Sequence, residues 1–349
     1  MMDELSQRQK QILRTVVEDY ISNAMPVGSR TISKNFALSS ATIRNEMSDL
    51  EDLGYLEQPH TSAGRVPSEK AYRFYVDNLM HLSRLSLKEI EYLKNYYDRR
   101  ICQTGEVLAD AAKVISDLTQ YVSIVTPPKA SNVNVASLQL MPINPIAAMV
   151  VLLTDTGMVQ NMPITLPRSV TAEELESMSK FLNRIFAGKS VDSIHPGIAR
   201  YAVENEIADQ KLIFDTVCGV IESRLRQEDE KVVINGASNL FAHQEFSDME
   251  KAKGFIQLLE ENKKLGRVIN DGGEDVSVRI GQETGLGDVS IVTATYSSGE
   301  RSLGKIGVIG PTRMQYDKVV SVLDQVGKAL SQIFSETTAL EERISEDGK

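Results

Sequence analysis

The residues best placed to do chemistry lie between Ser40 and Ser48. In the run SSATIRNEMSDLEDLGYLEQ, Ile43, Met47, Leu50 and Leu53 repeat at helical spacing and must face a core. The same helix then turns Ser40, Ala41, Arg44, Asn45 and Ser48 outward. These are short or flat hydrogen-bonding groups and one methyl, gathered in the N-terminal half of the helix. In a major groove Arg pairs with guanine, Asn pairs with adenine, and a methyl meets thymine. The chemistry implied is the reading of base edges, not the making of bonds.

No bond-making set competes with it. The four histidines, His60, His81, His195 and His243, form no His-x-x-x-His pair. A Gly-x-Ser-x-Gly elbow is absent, and Gly281-x-x-x-Gly285-x-Gly287 is not a dinucleotide fingerprint. His243 near Glu245 and Asp248 invites a metal, but a polar loop beside a helix is the simpler reading. No catalytic residue, metal site or cofactor is expected.

The elements around the polar face say what positions it. Gly28-Ser29 opens a short helix, with Ser29 as its N-cap and Ile32 and Phe36 on its inner face. Leu38-Ser39 makes the turn into the second helix, which Ser39 or Ser40 caps. Gly54 ends that helix as a C′ glycine. Tyr55 to Gln58 is a strand, Pro59 to Gly64 a tip, and Arg65-Val66 the return before Pro67. Upstream, Ser6-x-x-Gln9 opens a helix with Ile12, Leu13, Val16, Val17, Tyr20 and Ile21 on one side. Downstream, Ser68 to Leu82 reads as helix. The sum is a winged helix-turn-helix. Such modules also bind proteins, but a polar recognition face with Arg65 at the wing base favours DNA.

The net charge of −10 excludes a chain that is basic throughout. It leaves room for a local basic face made by Arg30, Lys34, Arg44 and Arg65, provided that Glu46, Asp49, Glu51 and Asp52 point elsewhere. At 349 residues the chain should hold two or three domains. The longest apolar run, Ile146 to Leu153, is too short to span a bilayer, and no signal peptide is read at the N-terminus. The cysteines, Cys102 and Cys218, lie in unrelated contexts and point to a reducing cytoplasm.

Beyond the head the period alternates. Ser86-x-x-Glu89 opens a charged connector helix to Arg100, Thr104-Gly105 breaks it, and helix resumes from Val107 to Leu118. Tyr121 to Thr126, Val133 to Met141, Ile146 to Leu153 and Met158 to Ile164 read as an antiparallel meander. Helices follow at Thr171-x-x-Glu174 to Gly188, with Leu175, Met178, Leu182, Ile185 and Phe186 apolar. Another spans Ile207 to Leu225, with Leu212, Ile213, Val217, Val220 and Ile221 inward. After a short strand at Val232 to Ile234, Ser247-x-x-Glu250 caps a helix. Strands at Val276 to Ile280, Val289 to Tyr296 and Lys305 to Ile309 precede a closing helix, Tyr316 to Phe334. Pairing of strands before Leu166 with strands after Val276 gives an α+β domain interrupted by a mainly helical insertion, 167–235.

The run SATIRNEMSDLEDLGYLEQPHTSAGRVPSEKAYRFYVD resembles the N-terminal domain of the bacterial heat-inducible transcription repressors of the HrcA family. The resemblance continues through PINPIAAMVVLLTDTG, NLFAHQEFSD and VTATYSSGERSLGKIGVIGPTRM, so it covers nearly the whole chain; Ala71 stands where the family more often has glycine. It implies a winged helix-turn-helix in 1–82, a connector in 83–105 and a GAF-like α+β domain in 106–166 and 236–345. The insertion between them would dimerise. It implies a homodimer bound to double-stranded DNA at the CIRCE inverted repeat of chaperone operons, sustained by the chaperonin GroEL. Carried over by position, the DNA-reading residues are Ser40, Ala41, Thr42, Arg44, Asn45 and Ser48. Ser29, Arg30 and Thr31 join them from the preceding helix, and Thr61, Ser62 and Arg65 from the wing. Two other classes stay open: a small-molecule-gated regulator using the GAF-like pocket, and an enzyme with an appended head.

Overall fold

The computed structural model describes residues 5–60, 64–97, 104–195, 197, 210–229, 231–271, 273 and 276–347. The head begins with α1 (Gln7–Asn23), whose Ser6 and Gln9 cap one another reciprocally. Ile12, Leu13, Val16 and Val17 of α1 are shut off from solvent by Ile32 of α2 (Ser29–Ser33) and by Ile43, Met47 and Leu50 of α3 (Ser40–Asp52). Gly28, not Ser29, is the N-cap of α2, with no side-chain cap bond. Glycine tolerates the extended cap conformation, and Ser29 becomes the first helical residue. The wing is minimal: β1 (Leu56–Glu57) pairs antiparallel with β2 (Val66–Pro67). Then α4 (Glu69–Phe74) starts at Ser68, whose hydroxyl also donates to the carbonyl of Gly54 at 2.7 Å. The helix expected through Leu82 stops earlier. A π-helical turn, Tyr75–Leu79, closes with the Met80 amide on the Tyr75 carbonyl, and the chain runs on without regular structure to the next helix. The wider turn keeps Tyr72 and Tyr75 both inward and buried.

The connector α5 (Leu87–Tyr97) opens on the Ser86–Glu89 exchange. Thr104 and Gly105 do not break a helix; they form the first turn of α6 (Thr104–Thr119). The first amides of a helix have no internal partner, so glycine weakens that turn least. The body's main sheet has five antiparallel strands. Their order is β7 (Val233–Asn235), β3 (Val122–Val125), β10 (Arg301–Pro311), β9 (Val289–Ser298) and β8 (Ser277–Arg279). On one face pack α6 and α11 (Tyr316–Asp347), through Ile115, Val319, Val322, Val326 and Leu330 against Val292, Ile306 and Val308. The other face is covered by α9 (Met249–Glu260) and α10 (Asn262–Asn270), through Phe255, Leu258, Leu265 and Ile269. The cap of α9 is Asp248, which accepts from the Glu250 amide at 2.8 Å, while the Ser247 hydroxyl turns back to Gln244.

The expected four-strand meander divides. β3 belongs to the main sheet, and only β4 (Val135–Asn144), β5 (Ala147–Thr154) and β6 (Val159–Thr165) form a meander, a separate sheet. So among the described residues β3 alone, of the strands before Leu166, pairs with a strand after Val276. One face of the small sheet, with Leu138, Leu140, Val150, Leu152, Met162 and Ile164, is buried beneath α7 (Ala172–Phe186) and α8 (Lys211–Asp229). Phe214 of α8 meets Phe181 edge-on and stacks on Phe186. The edge strand β4 is closed by side chains of α7: Asn183 accepts from the Leu138 amide at 2.8 Å, and Ser179 from the Leu140 amide at 2.9 Å. Leu175, Met178, Leu182 and Phe186 are therefore used inside the chain. Leu212, expected inward, is 62% exposed in the first turn of α8.

Candidate nucleic-acid interface

α3 presents the face its sequence requires. Ala41, Arg44, Asn45 and Ser48 are exposed, opposite the buried Ile43, Met47 and Leu50. Arg44 and Asn45 have no intramolecular side-chain partner among the described residues, so both remain available to a ligand. Ser40 and Thr42 are half-buried and already engaged: Ser40 Oγ lies 3.2 Å from Ser33 Oγ, and Thr42 Oγ1 lies 2.9 Å from Ser39 Oγ. Ser39 also accepts from the Thr42 amide at 3.1 Å, which makes it the N-cap. Thus the helix start and the helix-turn-helix corner are held by the hydroxyls beside the exposed face.

Five side chains fix how α3 sits, and sequence pattern did not single them out for this role. Arg8 of α1 pairs with Glu46 at 3.2 Å. Glu51 pairs with Arg65 at 2.7 Å, and Lys70 donates to the Leu53 carbonyl at 2.7 Å, a cation at the C-terminal end of the helix. Lys70 also stands over the Tyr55 ring, 4.3 Å from its centroid. Two of the four acidic groups near the recognition face are in this way neutralised by cations. The wing base is close-packed: a Cβ on Gly64 would fall 2.4 Å from the Val27 carbonyl oxygen, and Val27 and Arg65 exchange both backbone hydrogen bonds there. An arginine tied to a glutamate at a distant helix leaves no sequence spacing to read.

The chain's relatives share this module. Residues 4–79 match the family profile described as a winged helix-turn-helix transcription repressor, HrcA DNA-binding, and residues 105–320 that of the HrcA protein C terminal domain. The heat-inducible transcription repressor HrcA of Pelotomaculum thermopropionicum is 42% identical over 338 residues, covering 95% of this chain and 97% of its own. That of Brevibacillus brevis is 40% identical over 336 residues, covering 95% and 98%. The chain belongs to the HrcA family. A crystal structure described as a hypothetical protein matches with a TM-score of 0.64 at 25% identity, covering 96% of this chain and 100% of that one.

HrcA-family proteins are DNA-binding, heat-inducible transcription repressors and not enzymes. The chain's other expected contacts distribute as follows. Arg30 and Thr31 are exposed on α2 and Ser29 is half-buried. Thr61 and Ser62 lie outside the described residues. Arg65 is a strut: its guanidinium rests on Glu51 with the side chain 20% exposed, so Arg30, Lys34 and Arg44 carry the open basic face. The histidine and two carboxylates that could have held a metal are separated by their partners. His243 stacks on Tyr121, Glu245 pairs with Arg313, and Asp248 caps α9. Among the described residues no group of three possible metal ligands occurs, and no helix is long and apolar enough to cross a membrane.

Proposed function

We propose that this chain acts in the cytoplasm as a homodimer on an inverted-repeat operator of the CIRCE type ahead of chaperone operons, with GroEL sustaining its active form. The exposed Ala41, Arg44, Asn45 and Ser48 face carries the reading. One such helix covers only a few base pairs, and a two-fold pair supplies the specificity that a genome demands. In this reading Arg44 and Asn45 meet bases, Ser48 and Ala41 flank them, and Ser40 and Thr42 hold the helix start. Ser29, Arg30 and Thr31, with Thr61 and Ser62, serve the backbone, and Arg65 holds the wing base to α3. A gel-shift series with the inverted repeat, a scrambled duplex, and GroEL added or withheld tests it. Equal affinity for the two duplexes would sink the operator claim, and indifference to GroEL the chaperonin claim.

The sheets support a domain plan. We take the inserted unit as 127–231, since β4 to β6 share a core with α7 and α8, and β7 belongs to the main sheet. Excising 167–235 would strip the cover from the small sheet and remove an edge strand of the large one. The dimer contact is then the outer face of the small sheet, where Met141 and Val159 are each 54% exposed. Met149, Val151 and Leu153 are half-buried between them. Asp at Met141 and Val159 should give a folded monomer by sedimentation; a dimer would move the contact elsewhere.

One observation favours a second reading, a small-molecule-gated regulator. A cleft of about 720 Å³ opens beside the main sheet, lined by Phe246, Phe255, Leu258, Leu286, Val289 and Glu245. That volume suits a small ligand. Mass spectrometry of the purified repressor for a retained compound tests this reading.

A further inference from the structure

The head is fastened to the body at two separated points. At the first, Arg313, between β10 and α11, reaches the end of α1: its Nη1 donates to the Ile21 carbonyl at 2.7 Å. The same guanidinium donates to both Glu245 oxygens, at 2.7 and 3.3 Å, with its side chain only 14% exposed. At the second, Arg73 of α4 donates to the Val278 carbonyl at 2.5 Å and to Glu283. Glu69 accepts there from the Gln282 amide at 3.3 Å. Gly281, at φ +53°, makes that approach possible: a Cβ on it would fall 1.9 Å from Glu69 Oε1. Between the two points Tyr72 packs on Tyr316, ring centroids 6.1 Å apart.

The covalent link would not hold the head by itself. Residues 80–86 have no regular structure; Ser83 donates to Asp317 of α11, which pins the middle of the tether and leaves 80–82 between that pin and the head. A single anchor beside such a tether would act as a pivot. Two anchors, on different helices of the head, remove the rotation. We propose that Arg313 and Arg73 are positioning residues for operator recognition, and that their anchors set the half-site spacing the repressor accepts. This rests on the homodimer reading above.

In a two-fold dimer the distance and angle between the two α3 helices follow from how each head is mounted. One base pair added between half-sites moves the second by about 3.4 Å and turns it by about 35°. A fixed head cannot follow that screw motion, whereas a tethered head can.

Gel shifts with operators lengthened or shortened by one and two base pairs between half-sites test the proposal. The unaltered protein should lose at least about tenfold in affinity per base pair of misspacing, a loss on the scale of a mismatched base pair. Arg73→Ala, Arg313→Ala and their combination should flatten that profile while the best-spaced operator weakens less. Glu283→Gln, at a side chain 44% exposed, removes one anchor's charge partner with the least risk to folding. The exchange of Arg73→Glu with Glu283→Arg should restore part of the sharpness. Thermal melts and sedimentation accompany every variant. An unchanged narrow profile in folded, dimeric variants overturns the proposal, as does an unaltered protein already indifferent to spacing. A monomer on DNA is seen separately by sedimentation; it defeats the homodimer reading and the proposal with it.

Discussion

The head closes its core from helices that follow one another directly: Ile12, Val16, Ile32, Ile43 and Leu50 all come before Asp52. The body does the opposite. Val125 of β3 pairs with Ile306 of β10, and the whole small-sheet unit lies between them in sequence. The difference teaches where each function can reside. A locally closed module can keep its recognition face intact on its own, while a body built from distant segments is the part expected to lose its fold first. Non-local pairing is slow to form and leaves apolar edges open on the way.

The largest expected effect strikes the body. Phe214, fully buried between Phe181 and Phe186, should cost about 3–5 kcal/mol when cut to Ala. Natural domains are only about 5–15 kcal/mol stable. The variant should therefore lose DNA binding at a lower temperature than the unaltered protein, although α3 is untouched. By the same logic we propose that heat acts through the body. Cys218 offers a local probe: its thiol is buried, and burial pushes its pKa up to about 12. In a Cys102→Ser background, thiol labelling, circular dichroism and gel shift should report loss over one temperature range. DNA binding lost many degrees before Cys218 becomes reactive would remove the body from the mechanism.

Next in size is a change confined to the head. Arg44→Ala should relax discrimination at one base of each half-site, at about 1–3 kcal/mol per site, with an unchanged melting temperature. Affinity for every operator variant falling equally would mean that Arg44 touches phosphate and not a base. Ser39→Ala tests the frame behind it. Removing the cap on Thr42 should cost about 0.5–2 kcal/mol of stability and weaken binding to all sequences alike. If only one base position responds, the cap residue itself reads DNA.

The same contrast explains what could be read in the sequence. Ile43, Met47 and Leu50 are three and four residues apart, so their helix and its polar face follow from period alone. The hairpin at Ser298-Gly299 and the caps at Ser6, Ser86 and Thr171 are equally local. Strand partners are not: β3 has the composition of its neighbours in sequence but pairs with β10 and β7. Leu175 and Phe186 look like surface for a partner until α7 is laid on β4. The struts, Arg65 to Glu51 and Arg313 to Ile21, join residues whose proximity only the fold creates.

The smallest prediction lies on the seam between the two regions. Tyr72 is 3% exposed, and its hydroxyl is buried without a hydrogen-bond partner among the described residues. A buried unsatisfied donor costs about 1–3 kcal/mol. Its ring does useful packing against Tyr316, so Tyr72→Phe should keep the contact and remove the penalty. Stability should rise by up to about 1 kcal/mol, read as a melting temperature higher by a few degrees. Because the anchors at Arg73 and Arg313 remain, the operator-spacing profile should stay as sharp as before. A lower melting temperature would mean that the hydroxyl is satisfied in solution and helps to join head and body. In that case the hydroxyl is a further polar tie across the seam, and the spacing profile of Tyr72→Phe should broaden in step with its loss of stability.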